Sequence, residues 1–429
     1  MFARHAYCCA TTLGAPLIRR FLEKRLATGK EDPIRFAERR GQPGKPRPDG
    51  PLVWIHAASN GESVSALPLI DRLLARDPHS HVLVTTGTVT SARLMEARLP
   101  PRAIHQYVPV DLRPWLRRFL DHWKPDLGIW IESEFWPGLI WAMRDSGKPM
   151  ALVNGRVSSR SLTQWRRFPG LSADLLGGFS PCLAQTPDDA AHLSSLGAQK
   201  ADCVGNLKLS APPLPVDDIA LEEERRRIAG RPVWLAASTH PGEEEIVAEA
   251  DALLRESLPD LLTVVVPRHP KRGEGVADLM RAKGLFTARR AIGETVTAEC
   301  QCLVADTLGE LGLFYRLIPV ALIGGSLVGG HGGHNPIEAL QLGCVPVIGP
   351  DMTNFSTVAA SLTDAGGAVS AASASDIADA VAGLLADPGH RQTIAQAGDA
   401  VARVGATTVD RVMARLAPVL PPLAPGRGR

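Results

Sequence analysis

A chain of 429 residues is too long for one ordinary core, and 45% hydrophobic with 21% charged residues excludes the disordered and fibrous classes. The net charge of +2 is unevenly split: residues 1–180 hold 26 Lys and Arg against 16 Asp and Glu, a surplus of +10, and the rest stands at −8. A basic first half and an acidic second half imply that only one half meets something anionic.

Ala6 to Ile18 is mostly apolar or small, with Gly14 and Pro16 inside it, and Arg19, Arg20, Lys24 and Arg25 follow. The run is short of the roughly 20 residues that span a bilayer. An apolar segment with a basic flank is expected to lie in the interface of an anionic leaflet; the competing reading is an ordinary amphipathic helix packed on its domain. After a Pro/Gly/Lys/Arg linker, Gly41 to Gly50, strands and helices alternate. Strands are predicted at Leu52–Ala57, Val82–Thr85, Leu127–Ile131, Pro149–Val153, Leu183–Gln185 and Asp202–Val204. Helices are predicted at Ser63–Arg76, around Ser91–Arg98 and at Pro114–His122. The clearest break is Ala211-Pro212-Pro213-Leu214-Pro215. Beyond it the strands Val233–Ala237, Leu262–Val266, Cys302–Val304, Val320–Ile323 and Val345–Ile348 are predicted, with a helix at Ile377–Leu385. Such alternation gives parallel sheets with helices on both faces. The fold class is α/β: two Rossmann-like, doubly wound domains facing a central cleft. Seven scattered cysteines without paired CxxC spacing argue against both a disulfide framework and a zinc site, and suit a cytosolic chain. The tail from Pro418 is Pro/Gly/Arg-rich and is expected to fray.

Ligands of open α/β sheets bind outside the carboxyl ends of the strands, so the loops there carry the chemistry. After the first strand comes Ser59-Asn60-Gly61-Glu62-Ser63. Glu62 reads equally as a proton acceptor and as a first-turn acid complementing the helix dipole. After Leu127–Ile131 comes Glu132-Ser133-Glu134-Phe135-Trp136-Pro137; continued strand phase would put both acids on one face, as a coupled pair or a solvated strand end. Arg156, Arg160, Arg166 and Arg167 form an anion clamp or an exposed basic loop. In the second half, Ser238-Thr239-His240, Pro267-Arg268-His269-Pro270-Lys271-Arg272 and Asp306-Thr307-Leu308-Gly309-Glu310 each follow a strand. The stretch Gly332-Gly333-His334-Asn335-Pro336-Ile337-Glu338 joins a glycine loop to a helix start, with Asn335 as N-cap, Pro336 at the first helical position and Glu338 three residues after the cap. It is either a plain capping box or the place where a nucleotide is held at a helix N-terminus. No strand is followed by GxGxxG with an acid about 20 residues on, which disfavours a dinucleotide oxidoreductase.

Seven motifs occur in order: Ala58-Ser59-Asn60-Gly61-Glu62, Ile131 to Pro137, Gly205-Asn206-Leu207-Lys208, Ser238 to Glu243, Val266 to Pro270, Gly324-Gly325-Ser326 and Gly333 to Glu338. Together they resemble the 3-deoxy-D-manno-octulosonic acid (Kdo) transferase family of lipopolysaccharide synthesis. The resemblance runs from about Leu52 to Asn354. It departs at Asn60, where the family usually has a small apolar residue, and in the loop 329–333, one residue longer than is typical. It implies a GT-B fold and an inverting transfer of Kdo from CMP-Kdo to a lipid A precursor (lipid IVA) at the cytoplasmic face of the inner membrane. Neither cofactor nor metal is implied, and nucleic acid is no partner. It implies Glu62 as general base, Glu132 and Lys208 as transition-state stabilisers, and Pro267, Arg268, Leu308, Gly309, Glu310, Asn335, Pro336, Ile337 and Glu338 as CMP contacts. The expected division is 1–50, membrane-proximal; 51–211, acceptor domain; 212–231, linker; 232–405, donor domain; and 406–429, helix end and tail. The alternative is a GT-B transferase using a different nucleotide sugar.

Overall fold

The computed structural model describes residues 2–210 and 213–423, so Ala211-Pro212 of the expected break and the end of the tail lie outside the described residues. The chain forms two compact units, 1–211 with 405–429 and 212–404.

The first unit is built on seven parallel strands: β1 (Leu52–His56), β2 (His81–Thr86), β3 (Ala103–Tyr107), β4 (Leu127–Ile131), β5 (Met150–Gly155), β6 (Cys182–Ala184) and β7 (Ala201–Cys203). Their order is β3-β2-β1-β4-β5-β6-β7. β1 and β4 are buried at every position because helices cover both faces, which is why they read as unbroken apolar runs. The order reverses between β1 and β4, and a doubly wound sheet opens its ligand crevice at that point.

Two helices precede the sheet, α1 (Phe2–Leu13) and α2 (Ala15–Ala27). The apolar run expected from Ala6 to Ile18 is thus split at Gly14, with Pro16 in the first turn of the second helix, where its missing N–H costs nothing. Tyr7 fastens α1 to the unit by donating to Asp111 at 2.6 Å and meeting the Trp141 ring edge-on. No helix among the described residues is long and apolar enough to cross a membrane. The residues after 404 return to this unit: Val409, Val412, Leu416 and Leu420 join its core beneath α3 (Asn60–Arg76), and Arg76 donates to the Pro421 carbonyl at 3.0 Å.

The second unit repeats the plan with β8 (Val233–Thr239), β9 (Leu262–Pro267), β10 (Thr287–Arg289), β11 (Cys302–Val304), β12 (Val320–Ile323), β13 (Val345–Ile348) and β14 (Val369–Ser370). The order is β10-β11-β9-β8-β12-β13-β14, all parallel, and reverses between β8 and β12. The stretch 212–231, expected as linker, contains a helix, Asp218–Ile228, capped by the Asp217 side chain and anchored by buried Leu221 and Ile228.

Candidate active site

β1 delivers the chain to Ser59, which caps α3. Glu62 sits three residues later; Ser59 Oγ donates to its Oε1 at 2.9 Å and the Ala58 N–H to its Oε2 at 2.7 Å. The carboxylate therefore does sit in the first turn of α3, tied to the cap side chain and to the N–H before it, as the reading of a first-turn acid required. It is nevertheless only 8% exposed and stands at the topological switch point. Burial, reinforced by the charges of Glu132 and Glu134, pushes its pKa up to about 7, against the pull of the two hydrogen bonds. A carboxyl balanced near neutrality can take a proton from an alcohol.

Glu132 follows β4 at the same switch point, but not in strand phase. Its φ of 64° turns the chain, so Glu132 and Ser133 form a turn and the expected shared face with Glu134 does not exist. The turn is held by the Glu132 N–H to the Val153 carbonyl at 3.1 Å and leaves Glu134 accepting from the Trp136 indole at 2.9 Å. Lys208 Nζ lies 3.1 Å from Glu132 Oε1 and beside Gly61, one residue before Glu62. Its short helix is fixed from below: the Asn154 side chain accepts from the Leu207 N–H at 2.9 Å and the Asn206 side chain from the Lys208 N–H at 3.0 Å. Glu62, Glu132 and Lys208, far apart in sequence, are thus brought together. Glu132, Asn154 and Ser238 are three of the five non-glycine residues at positive φ among the described residues. All three lie at or near the carboxyl ends of their strands, where open α/β sheets bind ligands and where backbone strain is tolerated. The arginines expected as a clamp are less concentrated: Arg160, Arg166 and Arg167 are exposed, Arg156 half-buried.

In the second unit the switch point is occupied by the loops after β8 and β12. Glu243, fully buried in the first turn of the helix Glu243–Arg255, accepts four backbone N–H groups: His240 at 2.9 Å, Gly325 at 2.7 Å, and Ser326 and Leu327 at 3.0 Å each. This ties the glycine loop to β8. Gly324 is required because a Cβ there would meet the Ser238 carbonyl oxygen at 2.4 Å. The longer stretch 329–333 is pinned by Asp351, whose side chain accepts from Gly330 and Gly332. It places His331 flat on His240, ring centroids 3.9 Å apart, while His240 Nε2 meets His334 Nε2 at 3.0 Å. Burial first, then neighbouring cations including Arg268, hold the latter pair neutral, with His240 lowered to about 4 and His334 to about 3.

Asn335 accepts from the Ile337 N–H at 3.1 Å and donates to Glu338 at 3.5 Å. The helix begins one residue later than expected and is short, Ile337–Leu340, with Pro336 at the N-cap position. Arg268, just past β9 and Pro267, is exposed, and its N–H bonds the Thr239 carbonyl at 3.0 Å. On the loop after β11, Leu308 is exposed, Gly309 adopts φ 85°, and Glu310 is gripped on both oxygens by Arg290, which lowers its pKa. Among the described residues no three His, Cys, Asp or Glu side chains are grouped to hold a metal ion.

A family model described as 3-Deoxy-D-manno-octulosonic-acid transferase (kdotransferase) matches residues 34–211. The chain is 34% identical over 373 residues to the 3-deoxy-D-manno-octulosonic acid transferase of Rickettsia bellii, covering 86% of this chain and 88% of that one. It is 36% identical over 427 residues to that of Bordetella pertussis, covering 94% and 97%. The chain belongs to the Kdo transferase family. As such it is a glycosyltransferase. The fold agrees at low identity: the UDP co-structure of S. aureus MnaA aligns with TM-score 0.55 at 16% identity over 88% of this chain and 100% of that one. Both seven-stranded units are those of a two-Rossmann, GT-B architecture. Within this Kdo transferase, sequence reasoning missed three side chains beside these loops. Glu243 ended one of the motifs without a role of its own, Asp351 carried no motif, and His56 was hidden near the end of an apolar strand; a lone polar residue in such a run was its only signal.

Proposed function

We propose that this Kdo transferase moves Kdo from CMP-Kdo to a lipid A precursor in one displacement that inverts the anomeric centre. The observation that carries the reading is Glu62, buried at the end of β1 with its pKa raised to about 7. Glu62 takes the proton of the acceptor hydroxyl as its oxygen attacks the anomeric carbon. The carbon–oxygen bond to the CMP phosphate breaks, and CMP leaves with the electron pair. The Glu132–Lys208 pair stabilises the charge that develops in the oxocarbenium-like state. The second unit holds the departing nucleotide: Pro267 and Arg268, Leu308 to Glu310, and Asn335 to Glu338 supply cation, backbone donors and helix start to CMP. A basic first half suits a phosphorylated glycolipid.

The same reading puts the chain at the cytoplasmic face of the inner membrane. Supporting it, Leu17 and Phe21 of α2, four residues apart, and Leu13 at the end of α1 are 73%, 63% and 82% exposed, flanked by Arg19, Arg20 and Lys24. An apolar row with cations beside it binds an anionic leaflet without spanning it. Incubating enzyme, CMP-Kdo generated in situ and a tetraacylated lipid A precursor, then reading the product by mass spectrometry, tests the proposal. The expected result is a mass gain in whole Kdo increments; transfer from a UDP-sugar but not from CMP-Kdo would replace it with the other nucleotide-sugar reading.

A further inference from the structure

Beside Glu62 the first unit contains a cavity of about 290 Å³, close to the lower limit of ordinary ligand pockets. Its floor includes His56, wholly buried at the end of β1. The hydrogen bonds beneath engage only one of its ring nitrogens. Thr85 Oγ1 lies 2.9 Å from Trp54 Nε1 and 3.0 Å from His56 Nδ1. An indole N–H only donates, so the threonine oxygen accepts from Trp54; its second lone pair and its own proton let it either accept from Nδ1 or donate to it. His56 Nε2 is buried with no partner among the described residues. When Thr85 donates to Nδ1, Nε2 carries the imidazole proton and calls for an acceptor oxygen.

Most of the charged groups around the cavity are already matched, Asp111 Oδ1 being the exception. Arg25 and Arg39 face opposite oxygens of Glu31, at 2.7 and 3.2 Å. Asp111 accepts from Tyr7 and from the Gly138 N–H, and Glu134 from the Trp136 indole. The remaining wall is largely apolar, with Phe21 and Leu22 of α2 opposite Val110 and Leu139. An ion is a poor occupant; a neutral apolar chain with one acceptor oxygen is a good one. Two continuities identify that chain. Phe21 belongs both to the cavity wall and to the exposed row Leu13–Leu17–Phe21. Ala58 lines the cavity and donates its N–H to Glu62. A molecule reaching from a lipid surface to Glu62 passes through this space.

We propose that the cavity seats one acyl chain of the acceptor lipid, with His56 Nε2–H donating to the carbonyl oxygen of that chain. The inference rests on the glycolipid-acceptor reading above. It is tested on the whole chain by calorimetry with N-decanoyl glucosamine 1-phosphate, a decyl analogue lacking the carbonyl, and glucosamine 1-phosphate. Wild type is expected to bind both chain-bearing probes at least tenfold more tightly than the bare sugar phosphate, and Val110→Trp, which fills the cavity from its half-buried rim, to erase that difference. His56→Phe should cost about tenfold for the carbonyl probe alone, the worth of one buried hydrogen bond. Equal binding of all probes by wild type, or an unchanged preference in Val110→Trp, overturns the acyl site; an equal loss for both chain-bearing probes in His56→Phe overturns the hydrogen bond. Should His56→Phe not fold, the Val110→Trp comparison still decides the site. Binding of the acylated probe without Kdo transfer to any glycolipid would sink the acceptor reading and leave the cavity standing. Transfer to acylated and deacylated acceptors with equal KM would do the reverse.

Discussion

Glu62 combines two roles that the sequence left as alternatives. It stands in the first turn of α3 and still sits where its charge is costly, so the hydrogen bonds from Ser59 Oγ and the Ala58 N–H hold the carboxylate in place while burial lifts its pKa to about 7. If it is the base, kcat/KM should rise with pH through an acidic limb near 7. Glu132→Gln removes a nearby negative charge, so the limb should move to lower pH, with burial keeping it above the ordinary glutamate range. Stability carries the opposite sign: because the folded pKa lies above the ordinary 4.5, the protonated form contributes stability that is present below about 4.5 and lost as pH rises through about 7. Glu62→Gln should lower kcat by about 10²–10⁴-fold and leave CMP affinity unchanged by calorimetry. Near-normal turnover in that variant would remove Glu62 from the chemistry. Glu62 was legible because an acid in the first turn after an apolar strand has few possible locations. His56 was not, since its partners Thr85 and Trp54 adjoin it only through strand pairing.

At the scale of elements, strands with continuous apolar runs were readable, as was the short β7, and three others were not. β3 went unseen because two of its five residues are polar. His105 is satisfied by Thr86 Oγ1 at 2.9 Å and by Arg35, and Gln106 Oε1 accepts from the Trp123 indole at 2.8 Å, so the sheet buries what looks like loop sequence. β10 and β14 are too short to impose a pattern. The turn at Glu132 ended a periodicity that the sequence appeared to continue, because a left-handed residue flips the next side chain without changing composition. The loop after β12 depends most on a single side chain. Glu243→Gln turns one carboxylate oxygen into an amide that faces backbone N–H groups, and should destabilise by about 1–3 kcal/mol, a drop of several degrees in Tm. Thermal unfolding and CMP calorimetry together check it; unchanged melting with unchanged affinity would mean that the four hydrogen bonds are replaceable.

At the scale of the molecule, the two-unit plan was legible from the repeated β/α alternation, but the destination of the last segment was not. A Pro-rich ending suggested a loose tail, whereas residues up to Leu420 supply core side chains to the first unit. Each unit has its own core, so residues 212–404 alone should fold and bind CMP, while 1–211 alone, lacking Val409, Val412 and Leu416, should not melt cooperatively until a 405–429 peptide is added. Circular dichroism and calorimetry on the fragments would check this; a cooperative melt of 1–211 by itself would show the terminal helix to be dispensable. Viewed along the gene, the second unit is then a cassette inserted into the first and bounded by two junctions, at 211/212 and 404/405. Recombination at those two points can exchange the whole second unit while the first keeps both of its ends; under the proposed division of labour, such an exchange would bring a new donor and leave acceptor recognition intact.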